Sequence, residues 1–168
     1  MNTIRLLRIL FFLSTLISCE EKTFYTSSGN YDYCRLPLIY PFILLKLNYD
    51  DNWSIADSTT IKGFYPSNVI KFEVEYPFVY GIDGAFIERG RRLTYEQPTK
   101  WFILDCITKE LSEFDEEMEF IENIERLDVK KTELMNTNEY YNKYLSKGEL
   151  HWFPTDKKRF PSSGLRFP

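Results

Sequence analysis

The feature that most constrains the fold is a change of hydrophobic periodicity near Ser112. Before it, the stretch 69–76 (VIKFEVEY) alternates apolar and charged side chains, the two-residue period of a strand with one face in solvent. After it, apolar side chains recur every three or four residues, which is typical of helices that pack on one face. Strands followed by helices predict an α+β domain: an antiparallel sheet of about five to seven strands with one or two C-terminal helices packed on it.

An apolar run at residues 36–48 (LPLIYPFILLKLN) is interrupted by Pro37 and Pro41. Two prolines exclude a continuous helix and are disfavoured in a central strand, so the run predicts an extended strand at a sheet edge. A turn-forming cluster then precedes residues 53–56, which predict a short returning strand.

Further strands are predicted on both sides of Asp83-Gly84. Apolar stretches flank this dipeptide, a pattern that favours a hairpin with a two-residue type I′ turn. The stretch 100–107 (KWFILDCI) predicts another apolar strand.

Two helices are predicted in the C-terminal third of the chain. In the first, Ser112 and Asp115 resemble a capping box. In the second, Asn136 or Asn138 is the N-cap and Gly148 lies past the C-terminal end. Their predicted apolar stripes are Phe114, Met118, Ile121 and Ile124 in the first helix, and Tyr140, Tyr141, Tyr144 and Leu145 in the second.

The N-terminus has the architecture of a secretory signal. Arg5 and Arg8 form a positively charged start, and the uncharged stretch 9–17 that follows is dominated by Leu, Ile and Phe. Nine helical residues reach about 14 Å, against about 30 Å for the hydrocarbon core of a bilayer, so a membrane-spanning helix is a poor alternative.

The end of this segment, Leu16-Ile17-Ser18-Cys19, resembles the lipobox of bacterial lipoproteins. In that class the cysteine thiol receives a diacylglyceryl group, a dedicated peptidase cuts before the cysteine, and the new N-terminus is often acylated too. The resemblance implies that acyl chains on Cys19 attach the protein to a membrane, with more than one chain giving a stable anchor. The alternative is an ordinary secretory signal in which Cys19 is incidental.

The implied location is the bacterial cell envelope, and the outer membrane if the cell is Gram-negative. Glu20 and Glu21 resemble the acidic sorting signals that send lipoproteins to the outer surface in Bacteroidota. The stretches 34–41 (CRLPLIYP) and 101–105 (WFILD) are similar to motifs of small Bacteroidota lipoproteins of unknown function. Because no activity is assigned to those proteins, this resemblance implies no site residue.

These segments divide the chain into four parts: a signal peptide at 1–18, a lipidated tether at 19–30, one globular α+β domain at 31–152 and a Pro/Phe-rich tail at 153–168. The three Phe-Pro pairs of the tail favour an extended strap whose Phe side chains dock on the domain. The alternative is a disordered end that carries the basic cluster Lys157-Lys158-Arg159.

With Cys19 assigned to lipid, Cys34 and Cys106 remain. In an oxidising envelope compartment they are candidates for a disulfide, which would close a loop of about 73 residues and stabilise the fold by roughly 4 kcal/mol. The alternative is two separate buried thiols that act as small apolar side chains.

Charge and motifs disfavour several functions. Removal of residues 1–18 leaves 19 Lys+Arg against 25 Asp+Glu, a net charge of −6 that disfavours nucleic acid as a partner. The sequence contains no nucleophile elbow, phosphate-binding loop, dinucleotide fingerprint or zinc-protease motif, and we predict no catalytic, cofactor or metal site. His151, the one histidine, lies among apolar residues and is expected to be structural; pairing with Cys34 as nucleophile and base has no local support.

The expected function is a non-enzymatic binding role in the envelope, with an unidentified protein partner. One form of this role is an immunity-type protein that neutralises a basic toxin through its acidic surface. The alternatives are a small enzyme acting on cell-wall or surface glycans, and a structural subunit of an envelope complex.

Overall fold

A computed structural model describes residues 23–26, 33–47, 52–60, 64–89, 92–129 and 133–156. In chain order its elements are β1 Tyr33–Pro37, β2 Phe42–Leu47, β3 Ser54–Asp57, β4 Phe64–Tyr65, β5 Val69–Glu75, β6 Phe78–Arg89, β7 Arg92–Asp105, β8 Leu111–Phe114, α1 Glu117–Arg126, β9 Met135–Asn136 and α2 Thr137–Lys147. The predicted α+β class is confirmed, and all recorded strand pairs are antiparallel. The strands form two sheets, with the orders β1-β2-β3-β4 and β8-β7-β6-β5-β9.

The two sheets share the largest apolar cluster of the described residues. Phe42 of β2, Phe72 of β5 and Phe102 of β7 are fully buried members of this cluster. Tyr140 and Tyr144 of α2 belong to it as well, so α2 contributes to the interior that both sheets line. Burial of large apolar side chains is the main favourable contribution to folding, and this shared interior therefore holds the sheets together.

The five-stranded sheet has a second covered face. Tyr80 and Ile103 alternate along β6 and β7 with residues of the shared interior, so they point to the opposite side of the sheet. Phe120 and Ile124 of α1 form one cluster with them. The helix α1 is therefore the outer layer on this side of the molecule.

The outer face of the four-stranded sheet is covered by residues 23–26, which we call the N-terminal turn. Phe24 and Tyr25 are 0% and 3% exposed, and they cluster with Ile43 and Leu45 of β2. The order of layers is the N-terminal turn, the four-stranded sheet, the five-stranded sheet and α1.

Polar contacts also fix the N-terminal turn. The guanidinium of buried Arg35 lies 4.7 Å from the centre of the Phe24 ring, and its Nη1 donates to the Phe24 carbonyl at 2.7 Å. The Tyr144 hydroxyl donates to the Tyr25 carbonyl at 3.0 Å. The predicted tether at 19–30 is therefore corrected: residues 23–26 belong to the domain, because burial of two aromatic side chains outweighs the cost of ordering the segment.

The predicted edge strand at 36–48 is corrected to two strands. Pro37 ends β1 and Pro41 lies in the turn before β2, where neither ring interrupts a ladder. The edge position is confirmed for β1, which contains Pro37 and pairs with β2 alone, whereas β2 lies between β1 and β3 and is an interior strand.

The predicted hairpin at Asp83-Gly84 is wrong. Strand β6 continues through this pair and stays paired with β7 as far as Arg89 and Arg92. The pairing register shifts between Asp83 and Gly84, so the dipeptide marks a β-bulge and not a turn.

The first helix begins at Glu117, and the capping box predicted at Ser112 is absent from it. Residues 111–114 instead form β8, whose pairing with β7 supplies ladder hydrogen bonds that a helix start would lose. The predicted stripe is correct at Ile124, but Met118 is 68% exposed and Phe120 occupies the buried position.

The second helix is confirmed at both ends. The Asn136 side chain accepts from the Asn138 N–H at 2.9 Å, and Gly148 caps the C-terminus with a φ of 68°. Tyr140 and Tyr144 are buried as predicted, whereas Leu145 is exposed.

We predict that Phe24→Ala, in mature protein carrying Cys19→Ser, lowers the free energy of unfolding by about 3–5 kcal/mol, because it removes a fully buried ring and leaves Arg35 without its stacking partner. The change in unfolding free energy is measured by urea titration monitored by circular dichroism. Tyr76→Ala, at a side chain that is 72% exposed, is the matched control and should change stability little. Equal stability of the two variants would contradict the assignment of residues 23–26 to the domain.

Candidate functional site

The residue predicted to be lipidated, Cys19, lies outside the described residues, as does the basic cluster Lys157-Lys158-Arg159. The first Phe of the predicted C-terminal strap is described. The Phe153 ring lies 4.9 Å from the Tyr25 ring and 5.6 Å from the Tyr144 ring, centre to centre. Docking is thus seen at the first Phe-Pro pair, and the other two pairs lie outside the described residues.

Cys34 and Cys106 are free thiols in the structure, which corresponds to the alternative of two separate cysteines. Cys106 is buried in the turn after β7, and burial together with the nearby Asp105 raises its pKa to about 12. A thiol in that state is protonated at neutral pH and is a poor nucleophile and metal ligand. Cys34 is half-buried beside Tyr141, whose pKa is raised by burial and by a hydrogen bond with this thiol.

A buried carboxylate joins β5 to the C-terminal part of the domain. Oε2 of Glu73 accepts a hydrogen bond from the Tyr140 hydroxyl at 2.7 Å. Its Oε1 accepts from the backbone N–H of Val74 and from His151. The His151 Nε2 lies 3.0 Å from Oε1, and its ring packs against Trp152. Burial, together with the hydrogen bond to Glu73, raises the pKa of Tyr140, so the hydroxyl keeps its proton.

This cluster ties three elements together and is not arranged for catalysis. Both oxygens of Glu73 are occupied by donors of the protein itself. Among the described residues, the recorded polar partner of His151 is Glu73, and the nominal pair with Cys34 is not formed. The expected structural role of His151 agrees with this geometry, because the contact holds the segment after α2 against β5.

The described residues contain no group of three or more potential metal ligands. Within the same part of the chain, neither helix has the length and apolar character that crossing a bilayer requires.

Charge is distributed very unevenly over the sequence. Residues 105–128, which we call the acidic surface, contain ten acidic and two basic side chains, a net charge of −8. All other residues together contain 15 acidic and 19 basic side chains, a net charge of +4. The acidic surface comprises the end of β7, the turn to β8, β8 itself and α1.

Little of this negative charge is neutralised locally. In the described residues, ion pairs engage two of the ten acids: Glu113 lies 3.7 Å from Lys100, and Glu122 lies 3.5 Å from Arg126. Burial, reinforced by the negative charge of Glu113, raises the pKa of nearby Asp83. Exposed carboxylates on α1 therefore leave a strong negative potential at this side of the molecule.

The one other basic residue of the acidic surface is used elsewhere. Lys109 Nζ lies 2.7 Å from Oδ2 of Asp57, which is buried at the end of β3 in the other sheet. Burial alone would raise the pKa of Asp57, but hydrogen bonds from Lys109 and Thr59 outweigh it and lower the pKa. This contact clasps the two sheets together and removes Lys109 as a local counter-charge for α1.

A pocket of about 360 Å³ opens on the acidic surface between α1 and the ends of β7 and β8. Its apolar part includes Ile103 and Phe114, and Asp105, Glu110 and Arg126 line it with charge. The apolar side chains of Ile107, Met118 and Leu127 are exposed within the same surface. Apolar contacts beside unpaired acids are suited to a protein surface or a long basic side chain more than to a small apolar ligand.

Sequence reasoning found the acidic helix but missed this pocket. The pocket requires β8, which the predicted capping box assigned to the helix. The pattern that identifies β8 is Leu111-Ser112-Glu113-Phe114, where two apolar residues at the ends bracket two polar ones. This four-residue pattern is too short to predict a strand, and the pairing with β7 determines that these residues form one.

Comparison of the chain with protein-family models, curated proteins and solved structures finds no match. The function must therefore be inferred from the residues themselves.

We predict that Tyr140→Phe lowers the free energy of unfolding by about 1–3 kcal/mol, because the buried Glu73 carboxylate loses a donor at 2.7 Å while the core volume stays almost the same. Chemical unfolding at neutral pH measures this change. Tyr76→Phe removes a hydroxyl from an exposed ring and is the matched control, which should be neutral. If the two variants are equally stable, the Tyr140–Glu73 bond does not support the fold.

Proposed function

We propose that this protein is a lipid-anchored envelope protein that binds a basic protein partner through its acidic surface. The observation that carries the proposal is the separation of charge: residues 105–128 have a net charge of −8, and the rest of the mature chain, residues 19–104 and 129–168, has 15 acidic and 17 basic side chains, a net charge of +2. Concentrated charge on one side attracts and orients an oppositely charged protein before contact, which raises the association rate.

The surface chemistry also supports a binding role. Met118 on α1 and Leu127 just past its end are exposed, and the neighbouring pocket is lined by apolar side chains together with Asp105, Glu110 and Arg126. Protein interfaces combine apolar anchors at the centre with a polar rim. A Lys or Arg of the partner inserted into the pocket would meet Asp105 and Glu110, while the positive charge of Arg126 in the same lining is paired with Glu122 at 3.5 Å.

The anchor is supported by the lipobox resemblance that ends at Cys19 and by the charged and apolar segments that precede it. A membrane-attached protein with an acidic binding surface is suited to intercept a basic protein that arrives at the envelope. Immunity-type neutralisation of a basic toxin is one form of this function.

We predict that Cys19→Ser abolishes metabolic labelling of the protein with palmitate and leaves the precursor uncut, so that residues 1–18 stay attached and the protein migrates above the mature form in gel electrophoresis. The matched control is Cys34→Ser, which removes a thiol of the folded domain and should leave labelling unchanged. Palmitate labelling of the Cys19→Ser protein would show that the anchor is assigned to the wrong residue.

We predict that neutralising α1 weakens partner binding roughly tenfold or more, about 1.4 kcal/mol or above, because three exposed carboxylates are lost from the interface. The partner is first captured with the full-length protein from its native membrane, identified, and required to be basic. Its affinity for purified protein is then measured at low and high salt. The variant carries Glu119→Gln, Glu122→Gln and Glu125→Gln.

The matched control changes the net charge equally outside the acidic surface, through Glu133→Gln, Glu139→Gln and Glu149→Gln, all at exposed positions. This control should retain nearly full affinity. An acidic partner, or equal losses in the two variants, would overturn the assignment of the acidic surface.

A further inference from the structure

We infer that the anchored domain rests on its membrane through the outer face of the four-stranded sheet, beside the N-terminal turn, and presents α1 away from the bilayer. The surface it rests on is that of an anionic phospholipid bilayer. This orientation depends on the lipid anchor proposed above, and it adds which side of the domain meets lipid and which side meets the partner.

The first argument is the reach of the chain. Four residue steps separate Cys19 from Thr23, and even fully extended they span at most about 14 Å. The N-terminal turn is held in place, because Phe24 is buried under Arg35 and the Tyr25 carbonyl accepts a hydrogen bond from Tyr144. An acylated Cys19 therefore holds this face of the domain within a short distance of the lipid headgroups.

The second argument is the order of layers. The N-terminal turn covers one outer face of the two-sheet stack, and α1 covers the opposite outer face. The two sheets lie between the side-chain cluster of the N-terminal turn and that of α1. A tether of about 14 Å is too short to let α1 swing to the membrane while Phe24 stays in its site.

The third argument is electrostatic. The basic cluster Lys157-Lys158-Arg159 begins four residues after Phe153, whose ring contacts Tyr25 in the outer layer on the anchor side. Four residue steps span at most about 14 Å, so these positive charges are within reach of anionic headgroups that lie against this layer. The opposite orientation would bring the net charge of −8 of the acidic surface against an anionic membrane.

The orientation is tested with the lipidated full-length protein inserted into preformed vesicles of phosphatidylcholine and phosphatidylglycerol. In a Cys34→Ser background, Tyr40→Cys places a thiol beside the Phe24 ring, and Met118→Cys places one on α1. The probe is a bulky maleimide–polyethylene glycol, and each labelling rate is divided by the rate for the same protein in detergent. Thr26→Cys is a second site near the anchor, in case Tyr40→Cys does not fold.

We expect the sites beside the N-terminal turn to label several-fold more slowly on vesicles than in detergent, and Met118→Cys to label equally in both. Inserting about 20 Gly/Ser residues between Lys22 and Thr23 adds roughly 25 Å of average reach and should abolish the protection. Equal rates at both sites with the native tether, or protection of Met118→Cys, would overturn the orientation. Failure of the anchor is recognised separately, because palmitate labelling would then be absent from the same preparation. In that case the orientation would be overturned together with the anchor.

Discussion

The architecture follows from two central strands that are apolar on both faces. In β2, Phe42 and Leu44 point to the shared interior while Ile43 and Leu45 point outward. A strand of this kind cannot leave either side in water without exposing large apolar area, so both faces of its sheet must be covered. The other sheet covers the inner face, and the N-terminal turn with Phe153 covers the outer one.

The same constraint acts on β7 in the second sheet. Phe102 and Leu104 line the interior, and Ile103 between them points to the other side, where α1 covers it. Each sheet therefore has its own outer layer: the N-terminal turn on the four-stranded sheet and α1 on the five-stranded sheet. This division separates α1, with its surplus of negative charge, from the N-terminal turn, and the two proposals on partner and membrane both derive from it.

The sequence predicts the class of fold and the ends of α2, because these depend on local signals: period-two alternation, the Asn136 cap and the left-handed Gly148. It fails where long-range pairing competes with a local signal. Asp83-Gly84 suits a turn or a bulge equally, and the continuation of β7 decides for the bulge. The burial of Phe24 cannot be predicted from the sequence, because Arg35, which packs on its ring, belongs to a strand whose partners the sequence does not reveal.

The candidate site divides in the same way. The sequence shows that residues 105–128 are rich in acidic side chains. It does not show that they lack nearby counter-charges, because Lys109 forms its ion pair with Asp57 of the other sheet. The Glu73–Tyr140 contact joins residues 67 positions apart, and no spacing rule indicates it. Cys34 and Cys106 could be identified as the remaining thiols, whereas their separate environments depend on the packing.

The contact between Phe153 and Tyr25 joins the two ends of the described chain, and this has a consequence for the order of events during biosynthesis. The outer layer of the four-stranded sheet can close only after nearly the whole polypeptide has emerged, so Ile43 and Leu45 stay partly uncovered in every shorter intermediate. If the chain is exported as proposed, this late contact keeps the outer layer incomplete while most of the polypeptide crosses the membrane. A chain truncated before Phe153 leaves part of the layer uncovered, an apolar patch of the kind that proteases and chaperones recognise.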